Sequence, residues 1–375
     1  MDTLAPLGDD ISAGFAQTYA GARAKFLEAA ESAHLDVQTH PHPLVGRDGE
    51  ALALDVVRDG PREATRLLLI SSGCHGVEGF CGSGIQVALL LDEAWRAQAH
   101  AAGVAVVYLH ALNPYGFSWW RRTTQENVDL NRNFQDFHRP LPANPGYDEI
   151  AHALVPATWP AGWRERWALT SFLLRRGPRA LQAAVSGGQY GHPQGLFYGG
   201  RAPTWSQVTL RHVLREQGAG AERIAWIDLH TGLGKSGVGE RIHAGRPDAA
   251  ALARARAWWG DKITSIDDGS SSSAPLTGMI WSAIYDECPQ AEYTGIALEY
   301  GTQPLWRTLQ ALRADQWLSN HPEHLASHGP RIKQQIRDAF YTDTPSWKQR
   351  VVAQAKEAAG QAVAGLASGS MPVRN

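Results

Sequence analysis

Between Arg66 and Gln86 the chain reads RLLLISSGCHGVEGFCGSGIQ. Four consecutive apolar residues, Leu67 to Ile70, fit a strand buried on both faces, the form that strands take in a parallel sheet covered by helices. The run breaks into a Gly-rich turn carrying His75 and Glu78, and the spacing predicts an apolar helix from about Ser83. In an open α/β sheet, ligands bind at the carboxyl ends of the strands. A His and a Glu three residues apart at that edge can reach one metal ion together. His-x-x-Glu alone is common by chance, so its weight comes from its placement and from two later segments.

Along the chain, Asp10 to about His34 reads as a helix with Phe15, Tyr19, Ala22 and Phe26 on one face. Short strands follow near Leu35–Thr39 and Ala51–Val57. After the central strand come a helix from Ser83 to about Ala102, closed by Gly103, and a buried strand Val104–Leu109. Strand, helix and strand in this order imply a parallel pairing. His110 to Pro140 is polar and aromatic, as a loop region would be, and Pro156 to Val185 is Trp-rich and helical. The loop SGGQYGHPQGLFYGG (186–200) precedes a helix over Pro203–Gln217, a strand over Ile224–Leu229 and a helix over Pro247–Trp259. Ser265–Ser273 is of low complexity and reads as a mobile surface loop. A fourth buried strand covers Ile296–Tyr300. Helices near Pro304–Leu318 and Ser346–Ala367 follow, the second opened by Thr344 and Pro345. The tail ASGSMPVRN should fray.

The expected fold class is α/β, with a mixed, largely parallel central sheet flanked by helices. One domain is expected over residues 1–375, with a catalytic core of about 51–302 and a helical C-terminal extension of about 303–367. A composition of 43% hydrophobic and 19% charged residues supplies ample core. The net charge of −2 is spread along the chain, so no basic footprint argues for nucleic acid. Three cysteines without a Cys-x-x-Cys suggest a reducing compartment. Neither a signal peptide nor an apolar run of the roughly 18 residues that a membrane span needs is visible. A soluble, cytoplasmic protein is expected.

Three strand ends carry polar residues that an apolar core would not tolerate. The first gives His75 and Glu78; the third ends in Asp228-Leu229-His230-Thr231-Gly232; the fourth puts Glu299 late in IALEY. Two His and one Glu, with a fourth position for water, form a standard catalytic zinc set. A further carboxylate near that water could act as general base. In the segment 121–134, Arg122, Asn131 and Arg132 could clamp a substrate carboxylate and polarise a carbonyl. Asp129 is a candidate carboxylate partner for a metal-bound His. Tyr190 and His192, with Phe197 and Tyr198, lie in a Gly-rich loop able to line a pocket. Cys74 and Cys81 read as small buried fillers.

The ordered set HGVE (75–78), VDLNRNF (128–134), DLH (228–230) and ALEYG (297–301) resembles the zinc carboxypeptidase superfamily over roughly residues 65–302. That superfamily also holds the aspartoacylase and succinylglutamate desuccinylase deacylases, and the resemblance is to a bacterial, DUF2817-like branch. It implies one Zn²⁺ held by His75, Glu78 and His230, with Glu299 as general base. It implies Asn131 and Arg132 as the carboxylate pair, Arg122 (or its neighbour Arg121) as the residue that polarises the scissile carbonyl, and Asp129 behind the first His. Three places depart from the peptidases: Thr231-Gly232 after the second His, Tyr300-Gly301 after Glu299, and Thr277 where the mobile tyrosine is expected. They leave the hydrolytic set intact and bear on C-terminal exopeptidase activity. The same alignment puts Ile284 in the side-chain pocket. The expected reaction is cleavage of an amide or peptide bond next to a free carboxylate, in a small-molecule or short-peptide substrate. N-acyl amino acid deacylation is the alternative, and a non-catalytic binding protein is the remote one.

Overall fold

The computed structural model describes residues 11–368 except 267 and 272. The acidic first ten residues, most of the tail expected to fray and two positions of the Ser-rich stretch lie outside the described residues. Seven strands form one sheet: β1 (Val37–Val45), β2 (Ala51–Asp59), β3 (Arg66–Ser71), β4 (Ala105–His110), β5 (Arg223–Ser236), β6 (Gly239–His243) and β7 (Glu292–Gly301). Their order is β1-β2-β4-β3-β5-β7-β6. The central strands β4, β3, β5 and β7 run parallel, and β1, β2 and β6 are antiparallel at the two edges.

The continuous apolar runs are explained by burial on both faces. Leu68 and Ile70 of β3 face a cluster built with the helices Tyr19–Ser32, Gly79–Leu90 and Pro345–Ala367. Leu67 and Leu69 face the opposite cluster, packed under the helix Trp205–Gly218. β4 and β5 alternate in the same way, with Val106 and Ile227 on one side and Val107 and Trp226 on the other. The helix 79–90 is buried along its whole length. Its one amide side chain, Gln86, is satisfied by Ile70 O at 2.8 Å, Leu109 O at 3.1 Å and the Ser72 hydroxyl at 2.8 Å, as a buried polar group must be.

Several expectations are corrected. The helix expected from Ser83 to Ala102 is two, because Asp92 caps a new one at Glu93–Ala101 by accepting from Trp95 N at 2.9 Å. The Trp-rich region holds the helices Trp163–Arg176 and Pro178–Ser186, preceded by Pro145–Leu154. β6 and the helix Leu325–Phe340 were not anticipated. Gly329 and Pro330 read as breakers, yet Ile332, Ile336, Ala339 and Phe340 are buried at helical spacing, and packing overrides local propensity. Helix 345–367 opens as expected, with Thr344 capping Trp347 N. It is no appendage: Trp347, Val351 and Ala355 belong to the main core cluster. Among the described residues, no helix is long and apolar enough to cross a membrane.

The chain leaves β3 for β4 on one side, while β5 adds on the other side of β3. That reversal opens a crevice at the carboxyl ends of β3 and β5, where doubly wound sheets take ligands. A third cluster, built by helices 145–154, 163–176, 178–186, Leu305–Asn320 and 325–340, covers this edge and walls the crevice.

His110, at the end of β4, lies sealed in the core, stacked 4.3 Å from Phe26 and bonded to the Ser83 hydroxyl at 2.9 Å. Burial pulls its pKa from 6.5 down to about 4, so the folded state keeps it neutral. Its contribution to stability is complete above the unfolded value of 6.5 and falls as pH drops toward about 4, by up to about 3 kcal/mol. Urea midpoints measured between these pH values should therefore decline less steeply in His110→Gln than in the parent. Parallel declines would show that His110 is not part of the acid sensitivity.

Candidate metal centre and active-site cavity

β3 ends at Ser71, and a short 3₁₀ turn over Gly76–Glu78 brings His75 and Glu78 to the crevice. Gly76 is required there, because a Cβ would stand 2.0 Å from the Gly116 carbonyl carbon. β5 delivers His230, and the parallel register sets His230 directly opposite Glu299 of β7. On its other side β5 pairs with β3, which puts Asp228 beside Ser71.

Glu78, only 1% exposed, is the hub of the site. Its Oε2 accepts from Thr231 N at 3.1 Å and lies 3.0 Å from His230 Nδ1. Its Oε1 lies 3.2 Å from an Arg122 guanidinium nitrogen and 2.9 Å from His75 Nδ1. The His75 Nδ1 contact is close but not aligned as a hydrogen bond, and this nitrogen has no hydrogen-bond partner among the described residues. Nε2 of His75 lies 3.1 Å from Asp129 Oδ1 and 2.8 Å from Arg122 Nη2. A protonated Nε2 donates to Asp129 and a bare one accepts from Arg122, so both bonds cannot hold together. The unaligned Nδ1 favours the first state, with Nδ1 bare. His230 is pinned alike, its Nε2 lying 2.6 Å from Asp228 Oδ2.

Two imidazoles held at Nε2 by carboxylates, with both Nδ1 atoms turned to a third carboxylate, fit a metal ion in donor type and orientation. The ligand atoms of His75, Glu78 and His230 lie within 4.8 Å of one another. Cys74, Asp228 and His230 satisfy the same distance test. That second set fits less well, because burial pushes the Cys74 thiol well above its usual range and Asp228 is already bonded to Ser71 at 2.5 Å and to His230. Burial is the largest influence on Glu78 and pushes its pKa up, but the charge of His75 and the hydrogen bond and charge of His230 outweigh it and hold the carboxyl well below its usual range. For His230, burial pulls down, and the Asp228 charge and hydrogen bond, helped by Glu78, raise the pKa well above 6.5. Glu299 accepts from Leu233 N at 3.0 Å, and burial followed by the charge of Glu78 pushes it up to about 8.

The DUF2817 family model, described as a protein of unknown function, matches residues 15–354. The chain belongs to the DUF2817 family. No curated protein matches the sequence. Bovine thrombin-activatable fibrinolysis inhibitor, solved in complex with tick carboxypeptidase inhibitor, shares the fold with a TM-score of 0.50 and 11% identity, over 95% of this chain and 98% of that one. Carboxypeptidase A from Helicoverpa armigera gives 0.49 and 12%, over 89% and 77% of the two chains. An aspartoacylase family protein from Mesorhizobium loti gives 0.34 and 15%, over 76% and 66%. The DUF2817 chain thus has a zinc-carboxypeptidase-like fold.

Above the His-Glu-His set the DUF2817 chain encloses a cavity of about 320 Å³, lined by His75, Arg122, Asn131, Arg132, His230 and Glu299 together with apolar walls. Arg122 faces it, whereas Arg121 turns away to Asn127 and Asp315. Arg122 also reaches Asp129 at 2.9 Å and lies over the Phe197 ring, 5.1 Å from its centroid. Asn131 Oδ1 accepts from Ile280 N at 2.9 Å, leaving its amide nitrogen as donor. Arg132 bonds the carbonyls of Asn131 and Ser186, each at 2.7 Å, and its buried Nε has no partner among the described residues.

Three expected pocket residues lie elsewhere. Ile284 is 1% exposed in the core cluster on the far face of the sheet, with Leu69, Val107 and Leu214, so its aligned place does not reach the cavity. Tyr190 supports from behind, donating to Arg132 O at 2.7 Å. His192 sits at the surface, 2.8 Å from Asp148. The loop acts instead through Phe197, under both arginines. Ser265–Ser273 is not a bare surface loop, since Ile266 and Ser273 line the cavity. Asp228 was missed as a partner of His230, although the Asp-x-His spacing on one strand puts both side chains on the same face. Asp228→Asn should weaken the zinc binding proposed below about 10–100-fold with the fold retained; chelator competition that found unchanged affinity would remove Asp228 from the site.

Proposed function

We propose that the protein is a zinc-dependent hydrolase that cleaves an amide or peptide bond next to a free carboxylate. The observation that carries this reading is the pair of pinned imidazoles whose Nδ1 atoms converge on Glu78, with Glu299 opposite His230 in register. Zinc held by His75, Glu78 and His230 would supply a water whose pKa falls toward about 7 and a Lewis acid for the carbonyl. Glu299 takes a proton from the attacking water and returns it to the departing amine. Arg122 meets the negative charge that grows on the carbonyl oxygen. Arg132 Nε and the Asn131 amide hold the substrate carboxylate, and Asp129 and Asp228 keep the imidazoles in their working tautomer. N-acyl amino acid deacylation uses the same set of groups, and Thr277, exposed and outside the cavity lining, offers no phenol to a peptide.

The direct test is to incubate the zinc-loaded protein with peptides and N-acyl amino acids and read the products by mass spectrometry; no cleavage in either group would sink the proposal. Glu299→Gln should lower kcat by about 10²–10⁴-fold while keeping zinc. Arg132→Ala should chiefly raise KM for carboxylate substrates and spare an amidated analogue. Arg122→Ala should chiefly depress kcat. Identical signatures for the two arginine variants would refute the division of roles.

Zinc uptake should also release protons at pH 7, because Glu299 (raised to about 8) and His230 both hold theirs in the metal-free protein. Calorimetry in two buffers of different ionisation enthalpy should count about one proton fewer for Glu299→Gln. An equal count would mean that Glu299 is already ionised.

A further inference from the structure

Two apolar walls flank the polar strip of the cavity. On the sheet side, Ala297 lies two residues before Glu299 on β7 and pairs in register with Ile242 of β6. With Ala244 and Ala274 they form a wall of mostly short side chains, three of them buried and Ala297 partly so. On the helix side the lining is mostly apolar, with Leu173, Leu181, Leu305 and Leu309 and, among them, Gln182 and Thr308. This wall is open to solvent: Leu173 is 37% and Leu305 56% exposed. Leu173 and Leu305 therefore carry the apolar lining of the cavity out to its solvent-exposed mouth. Contiguous exposed apolar surface running out of a pocket marks a place that something covers.

The covering group is long, because the wall runs from the catalytic strip to the surface, and it is poor in polar atoms. A peptide extending this way would carry an N–H and a C=O per residue past leucines that cannot bond them, at a cost for each group buried without a partner. An alkyl chain brings none. We propose that the substrate is an N-acyl amino acid with a medium or long aliphatic acyl group. The chain lies along Leu181 and Leu309 and leaves past Leu173 and Leu305. The small apolar amino-acid side chain occupies the closed wall of Ile242, Ala244, Ala274 and Ala297. The identity of the bond that is cut rests on the hydrolase reading above; the alkyl site rests on the cavity walls. Water adds across the C–N bond: the hydroxyl goes to the acyl carbon and a proton to the nitrogen, giving a fatty acid and a free amino acid.

The test is a series of N-acetyl-, N-hexanoyl- and N-decanoyl-leucine. Binding is read by calorimetry on zinc-loaded Glu299→Gln, and turnover on the unmodified protein. Each methylene buried improves affinity about fourfold, so burying half of the added chain gives a gain on the order of 10²-fold from acetyl to decanoyl. Adding Leu309→Asp to that variant should collapse this ratio. Leu305→Ser, at a half-exposed position that cannot unfold the chain, should reduce it several-fold. A flat series overturns the alkyl site whether or not substrate is cleaved. Tight decanoyl binding without cleavage by the unmodified protein keeps the alkyl site and overturns the hydrolase reading.

Discussion

Everything at the carboxyl edge of the sheet depends on one buried carboxylate. Glu78 is removed from water by the turn after β3, and an ionised carboxylate there survives only if its lone pairs are answered. They are answered from its own turn and from two distant parts of the chain: by the close contact of His75, by His230 and Thr231 N at the end of β5, and by Arg122 from the loop after β4. Removing any one of these would leave charge uncompensated in a low-dielectric place. That obligation ties the turn, the strand and the loop together, and it draws the Nδ1 atoms of His75 and His230 toward one carboxylate.

The partners of that carboxylate are themselves held from behind. Asp129 reaches His75 and Arg122, and its backbone N–H donates to Tyr198 O at 2.7 Å. Asp228 reaches His230 and is fixed by Ser71, whose hydroxyl also accepts from Trp226 Nε1 at 2.7 Å. Each imidazole is thereby oriented by a carboxylate that the core has already positioned. The rigid sheet gives the polar strip its geometry, while the helical layer above and the loops beside it share the apolar lining of the cavity.

Much of this was legible in the sequence. Leu67 to Ile70 required a strand covered on both faces, and the polar residues at three strand ends could not belong to an apolar core. His75, Glu78, His230 and Glu299 therefore stand out in the sequence, and the strand ends bring them to one edge of the sheet, because a polar residue at the end of an apolar run leaves a local signature. Thr344 and Pro345 likewise announced the last helix, since capping is settled by neighbouring residues. The α/β class followed from the order of apolar runs.

Tertiary structure alone decided the remainder. Whether Arg121 or Arg122 faces the cavity depends on where Asp315 and Asn127 stand, and no spacing rule reports that. Ile284 carried the same apolar signal in the core as it would have carried in a pocket, and only the packing against Leu69 and Val107 distinguishes them. The helix 325–340 formed in spite of Pro330, because burying Ile336 and Phe340 outweighs a local break. The leucine wall came from helices more than a hundred residues apart, 163–186 and 305–320. A sequence fixes what each residue can do by its chemistry, but which distant residues share one cavity is set by long-range packing, to which local pattern is blind.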